Sequence, residues 1–124
     1  MIDVYGLNNC DTCRKARKWL DAEGIDYRFH DIRKANLARA VIADWAAMAG
    51  WETLLNRRGT IWRGLPDSRK ENIDQHSATK LMTANPGLIK RPVFILDSDV
   101  LVGFSGEVQK ALAGWKASIT GGKR

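Results

Sequence analysis

The sequence predicts an α/β fold with a mixed sheet and an all-helical insertion, and three observations carry that expectation. The first 32 residues read strand, helix, strand. Two β runs and a helical pattern close the chain, and everything between these ends has helical periodicity alone. A strand–helix–strand start is a βαβ unit with parallel strands and a right-handed crossover. The ββα end adds an antiparallel hairpin and a covering helix.

Taken in order, "IDVY" (residues 2–5) is rich in β-formers and stops at Gly6, as a short buried strand would. From Asp11 to Glu23 the apolar positions Cys13, Ala16, Trp19 and Leu20 recur at helical spacing, with Arg14, Lys15, Arg17, Lys18 and Asp21 outside. Gly24 is the natural stop. "IDYRFHDI" (25–32) alternates as a second strand. Leu37, Val41, Trp45 and Met48 are expected to line one face of a helix closed by Gly50. "WETLLN" adds a turn or two, and "RRGTIWRGLP" reads as a basic loop. Asp74 is placed to cap a helix running to about Ala84, with Ala78, Leu81 and Met82 inward and Asn85–Pro86 ending it. "RPVFILDSDVLVGFS" is two strands joined at Asp97–Ser98–Asp99, a last helix spans roughly Gly106 to Ala117, and "TGGKR" is a loose end.

The chain has 124 residues, enough for one domain over 1–124. Its sheet-bearing core is expected at about 1–33 and 88–117, with the helical insertion at about 34–87. The two ends resemble the halves of a thioredoxin fold. Hydrophobic residues make up 44% and charged residues 27%, a soluble composition. No apolar stretch approaches the roughly 20 residues of a bilayer span, so no membrane partner is expected. The start lacks the basic, then apolar, pattern of a signal peptide, which points to the cytoplasm. A net charge of +6 favours anionic partners, but the charge is dispersed and no nucleic-acid motif is present. Nothing demands an obligate interface, so a monomer is expected.

Cys10 and Cys13 are the only cysteines, three residues apart at the loop-to-helix junction. In a cytoplasmic chain such a pair is more often catalytic or metal-binding than a structural staple. Two cysteines and two distant histidines do not give recognised zinc spacing, so no metal is expected. At Cys10, free first-turn amides and the helix dipole favour a thiolate. Four basic side chains also follow within eight residues. Both influences move a cysteine pKa from about 8.5 into a range of roughly 3.5–7.5. Cys10 is therefore the candidate nucleophile. Cys13, on the apolar face, is either a resolving thiol or a small hydrophobe packed in the core.

The stretches "YGLNNCDTCRKARKWL", "IDYRFHDIRK", "GWETLLNRRGTIWRGL", "LMTANPGLIKRPVF" and "LVGFS" resemble the arsenate reductase ArsC/Spx family, most closely its YffB-like branch. The resemblance covers nearly the whole chain. It implies a thioredoxin-like fold with a helical insertion and a thiol oxidoreductase using glutathione as co-substrate, with no bound cofactor. Cys10 matches the family's catalytic cysteine, Arg91 an oxyanion-binding arginine, and Pro92 a proline that is usually cis and lies close to the cysteine. Arg58, rather than Arg57, is favoured as the arginine of the basic loop. Two departures stand out. Gly103 replaces a third arginine of the arsenate reductases, and "GLNN" replaces a His-Asn-Pro type of loop.

Arg58 and Arg91 are thus the candidate binders of an anionic thiol or oxyanion. Asn8 and Asn9 either shape the loop or donate to the thiolate. Trp62, between basic residues, is the aromatic placed to border the pocket, while His30 and His76 read as structural or surface residues. The leading expectation is a glutathione-dependent thiol oxidoreductase with a Cys-x-x-Cys site, and glutaredoxin as a further partner. The alternatives are arsenate reduction supported by glutathione and glutaredoxin, and an Spx-like redox-sensing regulator that binds RNA polymerase. The loss of one guanidinium at Gly103 argues against efficient arsenate reduction.

Overall fold

The computed structural model describes residues 1–121. Most of the loose end expected at 120–124 lies outside them. Four strands, β1 (Ile2–Gly6), β2 (Tyr27–Asp31), β3 (Val93–Ile95) and β4 (Val100–Val102), form one sheet in the order β2-β1-β3-β4. β1 runs parallel to β2 and antiparallel to β3, and β3–β4 is the expected hairpin. This mixed sheet, built from a βαβ unit and a ββα unit, is a thioredoxin-like fold.

Helix α1 (Asp11–Ala22) makes the crossover between the parallel strands. Its buried side chains, Cys13, Ala16 and Leu20, follow the predicted spacing. Its end is a Schellman motif: Gly24 sits at φ +67°, its amide donates to Asp21 and that of Ile25 to Leu20. Glycine suits that left-handed position because it has no Cβ to clash.

The segment between β2 and β3 is helical throughout: α2 (Arg39–Ala49), α3 (Trp51–Leu54), α4 (Thr60–Arg63), α5 (Asp67–Lys70), α6 (Gln75–Ala84) and a 3₁₀ turn at Pro86–Leu88. Three expectations change here. Helix α2 buries Ile42, Trp45 and Ala46, while Val41 and Met48 stay 36% and 50% exposed. The helix is apolar nearly all round, so two stripes share Trp45, and the one with small Ala46 is the one pressed onto its neighbours. The basic loop contains a full turn of helix, α4, with α5 shortly after it. In α6 Thr79 is buried and Leu81 only partly so; the Thr79 hydroxyl donates to the Gln75 carbonyl at 2.7 Å, which removes the cost of burying it.

Asp74 caps α6 as expected. The Ser77 amide donates to Asp74 Oδ1 (2.8 Å) and the Asp74 amide to Ser77 Oγ (3.0 Å). The closing helix, α7 (Gly106–Gly121), runs four residues past the expected end at Ala117.

Side chains alternate across the sheet, so both faces are covered. Ile2 and Val4 of β1 and Phe94 of β3 pack with Ala16, Leu20 and Leu112 from α1 and α7. Val93, Val100 and Val102 face the insertion, where Ile42, Trp45, Ala46, Ala78 and Met82 join them. An isolated antiparallel bridge, Leu55↔Ile89, clips the insertion to the segment entering β3. Two hydrogen bonds of 2.8 Å flank it, Asn56 amide to Leu88 carbonyl and Lys90 amide to Leu54 carbonyl. No helix among the described residues is long and apolar enough to cross a membrane.

On the insertion-facing side of β1, the Asp3 carboxylate accepts from His30 Nε2 (2.8 Å) and from Arg28 Nε (3.0 Å) and Nη2 (3.3 Å). Partial burial opposes ionisation of Asp3, but these donors outweigh it and hold the carboxyl below its ordinary value. A carboxylate whose folded pKa is depressed stabilises the fold above its unfolded pKa of about 3.9, and that contribution vanishes as pH falls through the folded value. Asp3→Asn is therefore expected to lower unfolding free energy near pH 7 and to lose most of that deficit by pH 2–3. Urea melts at the two pH values would measure it, and an equal deficit at both would contradict the assignment.

Candidate active site

The loop after β1 turns back through a Cys10 amide to Leu7 carbonyl hydrogen bond of 3.3 Å, and Asn8 and Asn9 lie exposed at its tip. Cys10 follows in extended backbone (φ −98°, ψ 122°) as the residue that begins α1. Its carbonyl accepts the first helical hydrogen bond, from Arg14 at 2.9 Å. The half-buried sulfur therefore sits where first-turn amides are free. They face it too loosely to make a side-chain cap, but they act on its charge.

Both cysteines are free thiols, and their environments separate them. Burial works against ionisation of Cys10, yet the amide and thiol of Cys13, the Arg91 guanidinium and the Thr12 amide together bring its pKa below the ordinary value. Cys13 is fully buried. Burial, reinforced by the neighbouring Cys10 sulfur, pushes its thiol up to about 11, against weaker help from the Leu7 backbone and Arg91. Cys13 is thus the thiol that keeps its proton, and its neighbourhood favours the ionised form of Cys10 over that of Cys13.

The expected contribution from the basic face of α1 is absent from this balance. Arg14 is paired with Asp11, and Arg17 is turned away onto β2. The cation that reaches the sulfurs is Arg91, 81 residues along the chain from Cys10. It is brought there by the Leu55↔Ile89 clip, and the Arg91–Pro92 peptide that follows it is cis. Arg91 Nη1 donates to the carbonyls of Gly87 (3.1 Å) and Ile89 (3.4 Å). Its Nε is buried without a protein partner among the described residues.

Arg91 also lines a cleft of about 60 Å³ with Asn56, Gly59, Thr60, Trp62 and Leu88; Trp62 borders this cleft, and the cysteines are not part of its lining. Pro92 is buried next to it. The two arginines of the basic loop are not gathered around the thiols. Arg57 lies over the Trp51 ring at 5.7 Å. Arg58 is exposed, and among the described residues only its backbone bonds, its amide donating to Asn56 Oδ1 and its carbonyl accepting from Arg63. Asn9 is exposed and its side chain has no hydrogen bond among the described residues; Asn8 carries the structural contacts of the loop. Gly103 donates its amide to the Pro92 carbonyl (2.8 Å) from φ +81°, a backbone conformation in which an arginine would be strained.

One residue at the site gave no chemical signal in the sequence. A Cβ on Gly6 would stand 2.6 Å from Cys13 Sγ and 3.3 Å from Phe29 Cε1. The glycine that ends β1 is therefore what lets α1 lie so close, and in the sequence it reads only as the end of a strand.

These features define a thioredoxin-like protein with a thiol of lowered pKa at a helix N-terminus, a buried second thiol and an arginine beside a cis-proline. The ArsC family model matches residues 5–112, and the chain belongs to that family. An uncharacterised protein of Haemophilus influenzae is 40% identical over 91% of this chain and 100% of its own length. The global transcriptional regulator Spx of Streptococcus pyogenes is 26% identical over 90% of this chain and 84% of its own. Among solved structures, the YFFB protein is similar with a TM-score of 0.84, at 41% identity over 90% of this chain and 97% of that one. An arsenate reductase (ArsC) related protein from Brucella melitensis is 44% identical over 89% of this chain and 92% of that one, with a TM-score of 0.73.

The Gly6–Cys13 contact gives a direct test. Gly6→Ala is expected to destabilise the fold by about 1–3 kcal/mol through overpacking. Gly6→Ala with Cys13→Ala should recover much of that loss, because the atom it strikes is gone. Chemical denaturation of the four proteins measures the coupling, and simple additivity would refute the contact.

Proposed function

We propose that the chain is a glutathione-dependent thiol oxidoreductase in which Cys10 is the nucleophile. The observation that carries this reading is the opposite displacement of the two thiols, Cys10 down and Cys13 up, at one helix end beside Arg91. Enzymes set such pairs apart so that one member attacks while the other remains a proton donor.

The reaction runs by thiol–disulfide exchange. The Cys10 thiolate attacks the glutathione sulfur of a mixed disulfide RS–SG, the S–S bond breaks, and RS⁻ leaves and takes up a proton. A second glutathione, as its thiolate, attacks Cys10–S–SG, forms GSSG and returns Cys10 as thiolate. Net, RS–SG and GSH give RSH and GSSG. The high pKa of Cys13 makes it a slow resolving nucleophile, because at neutral pH very little of it is thiolate. Resolution by glutathione is therefore favoured over an internal disulfide. Arg91 supports the anionic partner as well as the thiolate, since it lines the cleft and a carboxylate there would meet a planar cation. The cleft is too small for a tripeptide, so glutathione would lie across its mouth with Arg58 on the exposed rim. Glutaredoxin is a further candidate partner.

Arsenate reduction is the weaker reading within enzymes, because Gly103 offers no third guanidinium and its φ disfavours one. A regulatory reading, with RNA polymerase as partner, rests on the Spx similarity and on the Cys10–Cys13 spacing.

Turnover of a glutathione mixed disulfide, coupled to GSSG reduction, tests the proposal. Cys10→Ser is expected to abolish turnover, whereas Cys13→Ser retains it within about tenfold. Arg91→Met should raise the alkylation midpoint of Cys10 and raise KM for glutathione. Absence of glutathione-dependent turnover in the wild type, or equal loss in both cysteine variants, would overturn the reading.

A further inference from the structure

Asn8 is held from two sides by one turn of α1. Arg17 Nη1 donates to the Asn8 side-chain oxygen at 3.0 Å, and Arg14 Nη1 donates to the Asn8 carbonyl at 3.4 Å. Each arginine is itself fixed. Arg14 is anchored by Asp11 of the first turn. Arg17 Nε donates to the Tyr27 hydroxyl at 3.3 Å, and its guanidinium carbon lies 4.2 Å from the centre of the Phe29 ring. A guanidinium can bridge a carbonyl and a hydroxyl and still stack on a ring, because its donors are spread round a rigid plane.

These contacts converge on the two thiols. The loop that Asn8 occupies is the Leu7–Cys10 turn, closed among the described residues by one backbone contact, the long Cys10 to Leu7 hydrogen bond. Phe29, under the guanidinium, is one of the groups within 4 Å of the missing Gly6 Cβ, alongside Cys13 Sγ. One side chain thus ties the turn bearing Cys10 to the strand packed beside Cys13.

We propose that Arg17 is a positioning residue for the nucleophile, clamping the Asn8 turn onto β2 so that Cys10 Sγ stays over the first-turn amides of α1. It acts through Asn8 and does not touch the reacting atoms. The clamp deepens the assignment of Cys10 as nucleophile and is independent of which disulfide is reduced. It also accounts for an α1 cation that a surface reading leaves in solvent. The charged and titratable groups facing Cys10 are Cys13 and Arg91, with the Arg14–Asp11 pair on its own helix. Cys13 is serine in every protein of the test below, the others are left intact, and each variant is compared with the Cys13→Ser parent.

The test is the pH profile of Cys10 alkylation by iodoacetamide in a Cys13→Ser background, which reads the thiol directly and needs no glutathione. Arg17→Met is expected to raise the midpoint by about one pH unit and to slow alkylation at pH 7 up to about tenfold. Arg17→Lys keeps the charge but cannot bridge and stack at once, so it should behave like Arg17→Met. Asn8→Ala removes the far end of the clamp without touching α1 and should reproduce the shift. The double variant Arg17→Met/Asn8→Ala should be no worse than either single, as for two halves of one interaction. A wild-type profile in Arg17→Lys would mean that charge alone acts, and would overturn the clamp. So would an unchanged profile in Asn8→Ala, which remains decisive even if the Arg17 variants fail to fold. Glutathione turnover measured beside these keeps the two proposals separable, since an intact clamp with no turnover would sink only the reductase reading.

Discussion

The Cys13 sulfur lies against the backbone of Gly6, at the end of the central pair of strands, closer than any side chain on that residue would permit. With that contact made, α1 can pack flush on β1 through Cys13, Ala16 and Leu20, and its N-terminus opens beside the end of the strand. Cys10 is placed by this packing. A larger residue at position 6 would lift the helix, and the amides now facing the Cys10 sulfur would move with it. The full burial of Cys13 and the partial burial of Cys10, which move their pKa values apart, are two results of the same close approach.

The insertion completes the site from the other side of the sheet. Its helices cover the face carrying Val93, Val100 and Val102, and the Leu55↔Ile89 bridge fixes where residues 88–91 enter β3. Arg91 is thereby held next to thiols far from it in sequence. Its carbonyl contacts to Gly87 and Ile89 hold it in place, at the wall of the cleft along α4.

The basic character of α1 invited a simple electrostatic reading, in which many nearby cations acidify Cys10. The structure divides those cations among separate tasks. Arg14 is paired with Asp11, Arg17 is engaged with Asn8, Tyr27 and Phe29, and one distant arginine acts on Cys10. Exposed charges act weakly through water, whereas a partly buried guanidinium beside a partly buried sulfur is much less screened.

Much of this protein was legible in the sequence. Strand-forming runs, the helical spacing from Cys13 to Leu20, the stop at Gly24 and the cap at Asp74 are local effects, each set by neighbours within a few residues, and each formed as read. The placement of Cys10 at a helix start follows from the same local rules. Tertiary structure decided the rest. Which stripe of α2 is buried could not be read, because that helix is apolar on competing faces and only its packing partners choose. The roles of Asn8 against Asn9, and the different surroundings of Arg57, Arg58 and Arg91, depend on where strands and insertion bring separate stretches together. A charge's effect falls with distance and exposure, and a sequence specifies neither until the chain has folded.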